Sequence, residues 1–390
     1  MSASRSDHAG AILPGATIGI VGGGQLGLMT ALAARPLGYR VWVLDPEREC
    51  PAAGAADRHI AARYDDAQAL EELARGCDVV TFEFENVPAS GLERLAQLVP
   101  VRPSPAVLAT CRHRELEKNF LAKSGFPVVA HRFASSAQEL EEAAEALGTP
   151  AVAKAVELGY DGKGQSRVES PDDARRVFDA IGAPRVVLER FVPFDAELSV
   201  VTARGPDGSH ATFPITRNDH AKHVLDVTCA PSGFSADVER RARAMAIAIA
   251  EALDVVGLVT VEMFLVGEDL IVNELAPRPH NSGHHTLESC VTSQFEQHVR
   301  AVCGLPLGDT SLRSPVAMVN LLGDLWSSGE PDWTRVLATP NAHLHLYGKR
   351  VARPGRKMGH VTVLDADAAR AVRIARELRA SLAPHVSRTK

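Results

Sequence analysis

A glycine-rich turn near the start of the chain most limits what it can fold into. The apolar run ATIGIVG (16–22) runs into Gly22-Gly23-Gly24-Gln25-Leu26-Gly27, and a helical pattern follows to about Leu37. The next segments keep the rhythm. YRVWVLD (39–45), HIAARY (59–64) and DVVTFEF (78–84) read as strands, with a helix from about Ala89 to Leu98. Strands separated by helical segments of this length predict an α/β domain with a doubly wound parallel sheet.

The turn also matches G-x-G-x-x-G, and Asp45 ends the second strand 18 residues beyond Gly27. That spacing passes the test for a dinucleotide fold. The physics is less specific, because bare N–H groups at a helix N-terminus attract any phosphate. On the motif alone three readings stay open: a nicotinamide or flavin enzyme, another phosphorylated ligand, or a turn that serves packing.

The pattern changes after the prolines between Pro100 and Pro105. A helical segment at about 111–124 leads into short strands (AVAKAV, SRVES, RVVLERFV, ELSVVTAR) with one clear helix near 172–180. These predict an α+β subdomain over about 126–202. ARGPDGSHATFPIT reads as a hairpin turning at Pro206-Asp207-Gly208. A long helix (236–253) precedes two strands, GLVTVEMFLV and DLIVNELA, joined at Gly267-Glu268; the tail carries AMVNLL, HLHLYGK, GHVTVL and a helix at 366–380. A chain of 390 residues fits two or three domains. The expected division is 1–112, 113–308 and 309–390.

Chemistry concentrates in the second half. Lys154 ends a strand, and Gly159-Tyr160-Asp161-Gly162-Lys163-Gly164-Gln165 follows. Glycines at this density make a flap whose amides can close over a triphosphate, with lysines as point charges, or else a surface hairpin. Glu189-Arg190-Phe191-Val192 follows a strand-like run, and Glu197 lies eight residues past Glu189. These carboxylates could accept from an adenine amino group and ribose hydroxyls, or be solvated edge charges. Folding the hairpin at Gly267-Glu268 sets Glu262 opposite Asn273 or Glu274. Like charges opposed in an apolar hairpin destabilise it unless a cation lies between them. Oxygen ligands of this kind suit Mg²⁺ bound together with phosphates.

This set resembles the ATP-grasp superfamily and, within it, the N5-carboxyaminoimidazole ribonucleotide synthetase family. The resemblance rests on GGGQLG (22–27), FEFENV (82–87), EKNFLAKSGFP (117–127), GYDGKGQ (159–165), NELAPRPHNSGHHT (273–286) and RPGRKMGHV (353–361). The last two segments are the specific ones. The match spans from about Thr17 to Leu364. It implies an N-terminal α/β domain, a split ATP-grasp region, a small C-terminal domain and a dimer.

The resemblance also implies roles. Arg114, Lys154, the flap 159–165, Glu189 to Val192, Glu197, His220, Asn273 and Glu274 would bind ATP. Glu262 and Glu274 would hold Mg²⁺, with Mn²⁺ as a substitute. Lys349 and Arg356 would bind the phosphate of aminoimidazole ribonucleotide. They belong to a run, Lys349 to Lys357, with five cations in nine residues. Arg278, His280, Asn281, Ser282 and His284 form a donor cluster suited to an acyl-phosphate-like anion, with Arg278, His280 and Asn281 as the catalytic candidates. Gly24, Gln25, Leu26, Glu83, Glu85, Arg278 and Ser282 are further substrate-binding candidates, Glu83 and Glu85 lying at the carboxyl edge of the fourth strand. Three positions depart from the family pattern: Leu158, Ser166 and His285. The implied reaction consumes ATP and bicarbonate to carboxylate aminoimidazole ribonucleotide.

Composition closes off other classes. The charge balance of 42 basic against 48 acidic residues disfavours bulk nucleic-acid binding. The most apolar window, 244–266, contains Glu251, Asp254 and Glu262, so no membrane span is expected. The opening MSASRSDHAG lacks an apolar core, and the six cysteines form no C-x-x-C pair. A cytoplasmic protein with reduced thiols is expected. Three competitors remain: a formate-dependent glycinamide ribonucleotide transformylase, a nicotinamide oxidoreductase, and a nucleotide-binding regulator without turnover.

Overall fold

Parallel strands in the order β3-β2-β1-β4 build the first sheet. β1 (Thr17–Val21) and α1 (Gln25–Ala34) flank the glycine turn; β2 (Arg40–Leu44), β3 (Arg58–Ile60), α2 (Ala67–Gly76), β4 (Val79–Phe82) and α3 (Ala89–Ala96) follow. The computed structural model describes residues 10–157 and 164–383. β1 pairs with β2 on one side and β4 on the other. The strand order therefore switches at β1, and a crevice opens at the strands' carboxyl ends, where ligands of such sheets bind. Every residue of β1 is buried, as a central strand covered on both faces requires.

The helical segment expected at 111–124 is two helices, α4 (Pro105–Arg112) and α5 (Arg114–Lys123). His113 breaks them apart with an extended backbone, and its Nδ1 accepts from the Leu116 N–H at 3.4 Å, capping α5.

A second, antiparallel sheet has the order β5-β8-β6-β7, from β5 (His131–Ala134), β6 (Ala151–Ala155), β7 (Gln165–Val168) and β8 (Val186–Arg190). α6 (Ala137–Leu147) and α7 (Ala174–Ile181) share its core through Leu140, Ala144 and Val177. Two expectations change here. The one helix expected near 172–180 is joined by a second, α6, which buries Leu140, Ala143 and Ala144. The subdomain also stops short of 202, because β9 (Ala196–Arg204) pairs with β13 and β11 in a different sheet.

Among the described residues that sheet has nine strands, in the order β14-β13-β9-β11-β12-β15-β17-β16, with β10 (His210–Thr212) beside β9. β9 and β10 form the hairpin expected around Asp207. β11 (Thr216–Ala221) and β12 (Val224–Ala230) pair antiparallel, and α8 (Ala236–Ala252) packs Ala242, Ala246 and Ile249 into the core beneath. β13 (Gly257–Val266) and β14 (Asp269–Ala276) are the metal-candidate hairpin. After α9 (Thr286–Ser289) and α10 (Gln294–Cys303) come β15 (Val316–Leu322), α11 (Thr334–Leu337), β16 (Ala342–Leu346), β17 (Lys357–Leu364) and α12 (Ala368–Ser381). β12 pairs with β15 from Val227↔Val319 to Ala230↔Val316. The last three strands therefore extend the central sheet. The same continuity carries the basic loop between β16 and β17 to the first domain, where Tyr347 shares a core with Leu26, Met29 and Phe295. Burying side chains of this size contributes about 1.5–3 kcal/mol each.

Candidate active site

The glycine turn binds its own carboxylates. Glu83 accepts from the Gly24 N–H at one oxygen and from the Gly27 N–H, at 2.8 Å, at the other. Asp45 Oδ2 accepts from the Gly23 N–H and the Tyr64 hydroxyl, both at 2.7 Å. In a dinucleotide fold those amides would face a pyrophosphate and the aspartate a ribose. Here both are engaged within the turn, which argues against the nicotinamide reading. The glycines admit the carboxylate: a Cβ on Gly24 would lie 2.5 Å from Glu83 Oε1, and one on Gly22 2.4 Å from Glu83 Cγ. Burial pushes the Glu83 carboxyl up, against the pull of the Gly27 and Gly24 amides.

Beside this turn lies a cleft of about 310 Å³, lined among others by Gly24, Gln25, Asp45, Glu83, Lys349 and Arg356. Most of the substrate-side candidates thus converge from opposite ends of the chain. Leu26 does not: its side chain packs into the core with Met29 and Phe295. Lys349 Nζ donates to the Lys357 carbonyl at 2.8 Å and lies 5.6 Å from the Tyr347 ring centroid. Arg356 Nη1 donates to the Val351 carbonyl at 2.8 Å. Glu85 pairs with Arg278 at 2.7 Å, tying the edge of the first sheet to the loop after β14.

The hairpin register puts Glu262 opposite Glu274, with an irregularity between Glu262 and Met263 that displaces Asn273 from pairing. Glu262 Oε1 lies 3.0 Å from His280 Nε2, and Glu274 Oε2 lies 3.4 Å from Arg114 Nη1. Burial opposes ionisation of Glu262, but His280, His220 and Lys357 hold its carboxyl below the usual range. Among the described residues no three His, Cys, Asp or Glu side chains are grouped to hold a metal. Two carboxylates are still what a protein commonly gives Mg²⁺ when phosphates complete the shell. Asn273 Oδ1 is buried without a hydrogen-bond partner among the described residues. An opposed pair of carboxylates beside an unsatisfied oxygen fits a hard cation.

Lys154 on β6 reaches Glu189 on β8, Nζ to Oε2, at 2.6 Å. A second lysine, which the sequence reading passed over, completes the group. Lys118 Nζ lies 3.0 Å from Glu189 Oε1 and donates to the Asn273 carbonyl at 3.0 Å. Arg114 and Lys118 stand i, i+4 on one face of α5, so helical spacing carried the signal. Burial alone would raise the Glu189 pKa; Lys154, Lys118 and Arg114 hold it well below the usual carboxylate range. Burial draws the Lys154 pKa down. Glu189 is therefore turned inward onto two ammonium groups, not left as the adenine acceptor or solvated charge expected. Arg190 and Phe191 are exposed, and Arg190 Nε donates to the Leu147 carbonyl at 3.1 Å; Val192 is half-buried. Glu197 Oε2 and His220 Nδ1 lie 2.6 Å apart on neighbouring strands of the large sheet. Burial lowers the His220 pKa, but Glu197 more than offsets it and raises it. Gly164 accepts from the Ala155 N–H at 2.7 Å, and Gln165 pairs with Lys154. Gly159, Tyr160, Asp161, Gly162 and Lys163 lie outside the described residues, as does Leu158.

In the donor cluster, Ser282 is fully buried rather than facing substrate. Its Oγ lies 2.9 Å from His280 Nδ1 and accepts from Ser199 Oγ at 2.7 Å. His280 is thus held at both ring nitrogens, by Ser282 and Glu262. Asn281 is 8% exposed, yet neither Oδ1 nor Nδ2 has a partner among the described residues. An amide left so is a docking point for a ligand, since an unmade buried hydrogen bond costs about 1–3 kcal/mol.

Comparison with known proteins follows the same segmentation. Residues 15–112 match the ribonucleotide synthetase preATP-grasp domain, 119–295 the ATP-grasp domain, and 316–373 the phosphoribosylaminoimidazole carboxylase C-terminal domain. The chain is 46% identical over 352 residues to N5-carboxyaminoimidazole ribonucleotide synthase of Brucella melitensis, covering 90% of this chain and 96% of that protein. It is 42% identical over 354 residues to the enzyme of the same name from Bacillus subtilis, covering 90% and 92%. Among solved structures, the synthetase of Staphylococcus aureus complexed with ADP aligns with a TM-score of 0.90 at 36% identity, covering 95% of this chain and 98% of that one. The synthase of Aspergillus clavatus in complex with ADP and 5-aminoimidazole ribonucleotide aligns at 0.86 and 32%, covering 94% and 98%.

Proposed function

The chain belongs to the N5-carboxyaminoimidazole ribonucleotide synthase family of ATP-grasp ligases, and from that premise we propose how its own residues divide the reaction. The activity is the ATP-dependent carboxylation of aminoimidazole ribonucleotide in purine biosynthesis, with bicarbonate as the carbon source and ADP and phosphate as products. Neither the glycinamide transformylase nor the nicotinamide alternative is favoured.

The observation that carries the division is the meeting of Lys349 and Arg356 with Gly24, Gln25 and Glu83 at one cleft. Two cations converging on one cleft suit a phosphomonoester. ATP occupies the other pole. Lys154, Lys118 and Arg114 face its phosphates, with Glu189 as the counter-ion that keeps the lysines in place. Glu197 and His220 contact the nucleoside. Glu262 and Glu274, with Asn273, would hold Mg²⁺. That ion would supply charge neutralisation on the phosphoryl oxygens.

In the first step a bicarbonate oxygen attacks the γ-phosphorus, the bond to the β-phosphate oxygen breaks, and ADP leaves. Arg278, His280 and Asn281 receive the resulting carboxyphosphate. Asn281 offers its unpartnered Nδ2 as a donor, whereas His280 mainly orients Glu262. The exocyclic amine then bonds to the carboxyl carbon, directly or after release of CO₂, and phosphate departs. Water must be kept out while carboxyphosphate persists. We also propose a homodimer and a cytoplasmic setting; no helix among the described residues is long and apolar enough to cross a membrane. We keep 1–112, 113–308 and 309–390 as working domains, since each family match falls within one of them.

The test is ADP release measured with each acceptor and each one-carbon donor. Turnover is expected only with aminoimidazole ribonucleotide and bicarbonate. Formate-stimulated turnover with glycinamide ribonucleotide would move the chain to the transformylase reading.

A further inference from the structure

Lys349 is a long cation whose ammonium, beside its bond to the Lys357 carbonyl, meets an aromatic ring at the cleft. Its ammonium lies 5.6 Å from the Tyr347 ring centroid, within reach of a cation–π contact. Tyr347 is only 2% exposed and packs against Leu26 and Met29 of α1, the helix whose N-cap residue Gly24 lines the same cleft. Its hydroxyl and His360 Nδ1 share a 2.9 Å hydrogen bond. His360 is itself fully buried, and its ring stacks on His345 at 4.4 Å and 13°. His345 Nε2 in turn lies 2.7 Å from Glu288 Oε1. A chain of fixed rings thus runs from the last sheet to the underside of Lys349. Burial pushes the His360 pKa well below its ordinary value, so the ring stays neutral and puts no opposing charge beneath the ammonium.

We propose that Tyr347 is a positioning residue for the ribonucleotide phosphate: its ring, wedged against α1 and anchored by His360, sets the Lys349 ammonium toward the glycine turn. Two independent features meet in this one side chain. It shares the core of α1 and so fixes the register between the first domain and the basic loop. Its π face meets the cation that loop carries. The inference rests on the reading of the cleft as the ribonucleotide site.

The experiment compares Lys349→Ala, Tyr347→Phe, Tyr347→Leu and the double variant Lys349→Ala/Tyr347→Leu, with KM measured separately for aminoimidazole ribonucleotide and ATP. Tyr347→Leu should raise the ribonucleotide KM about 5- to 30-fold, the range of a partly desolvated cation–π contact. The ATP KM should stay within about twofold of the parent, since the ring touches no group assigned to ATP. Tyr347→Phe keeps the ring but drops the bond to His360, so its ribonucleotide KM should lie between those of the parent and Tyr347→Leu. In the Lys349→Ala background, Tyr347→Leu should add almost nothing. Should the leucine variant not fold, Tyr347→pentafluorophenylalanine against Tyr347→Phe keeps the shape and removes the negative ring face; its ribonucleotide KM should be several-fold higher. Equal ribonucleotide KM values for that pair, or losses that multiply independently in the double variant, overturn the positioning role. A Lys349→Ala enzyme with an unchanged ribonucleotide KM overturns the reading of the cleft instead.

Discussion

Lys118 and Glu189 form a 3.0 Å ion pair whose side chains are 0% and 5% exposed. Few charges are buried this deeply, and the pair persists because Lys154 and the Asn273 carbonyl share the load. Removing one partner of such a pair strands a buried charge and typically costs about 3–5 kcal/mol. Lys118→Met should therefore lower stability by about that amount, read as a shift in the urea midpoint at an unchanged slope. A variant as stable as the parent would mean that Lys154 alone satisfies Glu189.

Lys154→Met tests the same group from the side of its ligand. The mutation removes a cation assigned to ATP, a charge-assisted contact of about 1.5–3 kcal/mol. The ATP KM should rise roughly 10- to 150-fold while the ribonucleotide KM holds. An unchanged ATP KM and rate would remove Lys154 from the nucleotide site.

Glu274→Gln keeps the volume and removes one of two opposed charges at the Glu262↔Glu274 pair. Activity at saturating Mg²⁺ should be lost, while the melting temperature holds or rises, because repulsion across the hairpin is relieved. Full activity at equal Mg²⁺ would place the metal elsewhere.

Glu117 gives a pH test. Burial pushes its carboxyl up to about 8, against an ordinary value of 4.5. The folded state therefore favours the protonated acid. Its contribution is fully present below about pH 4.5, where the unfolded chain is protonated too, and is lost as pH rises toward about 8. The whole loss is on the order of 5 kcal/mol at about 1.4 kcal/mol per pH unit. Glu117→Gln should flatten the stability profile across that window. A variant profile parallel to the parent's would show that Glu117 ionises normally.

Much of this was legible in the residues because it depends on local pattern. The strand–glycine–helix opening, the alternation that follows it, and the apolar hairpin turning at Gly267-Glu268 all announce themselves within short windows. What escaped depends on partners far away in the chain. β9 reads as the end of the flap subdomain until β13, more than 50 residues on, is seen pairing with it from Arg204↔Gly257 onward. Gly24 reads as a phosphate amide until Glu83, 59 residues later, is found on it. Lys118 looks like any surface lysine of a polar helix; only its burial between Glu189 and Asn273 distinguishes it. Ser282 and Leu26 sit inside motif segments, yet their side chains face the core. A matching motif fixes where the backbone passes, and packing decides which of its side chains meet the ligand.

On the proposed mechanism ATP activates bicarbonate, not the imidazole. A bicarbonate anion is a poor electrophile with a poor leaving group, and phosphorylation replaces hydroxide by phosphate. The bridging oxygen must then come from bicarbonate and leave with phosphate. With freshly prepared oxygen-18 bicarbonate, and reaction times shorter than its exchange with water, the phosphate released should carry about one labelled oxygen per turnover. Unlabelled phosphate, with carboxylated product still forming, would contradict the account and place the phosphoryl group on the ribonucleotide.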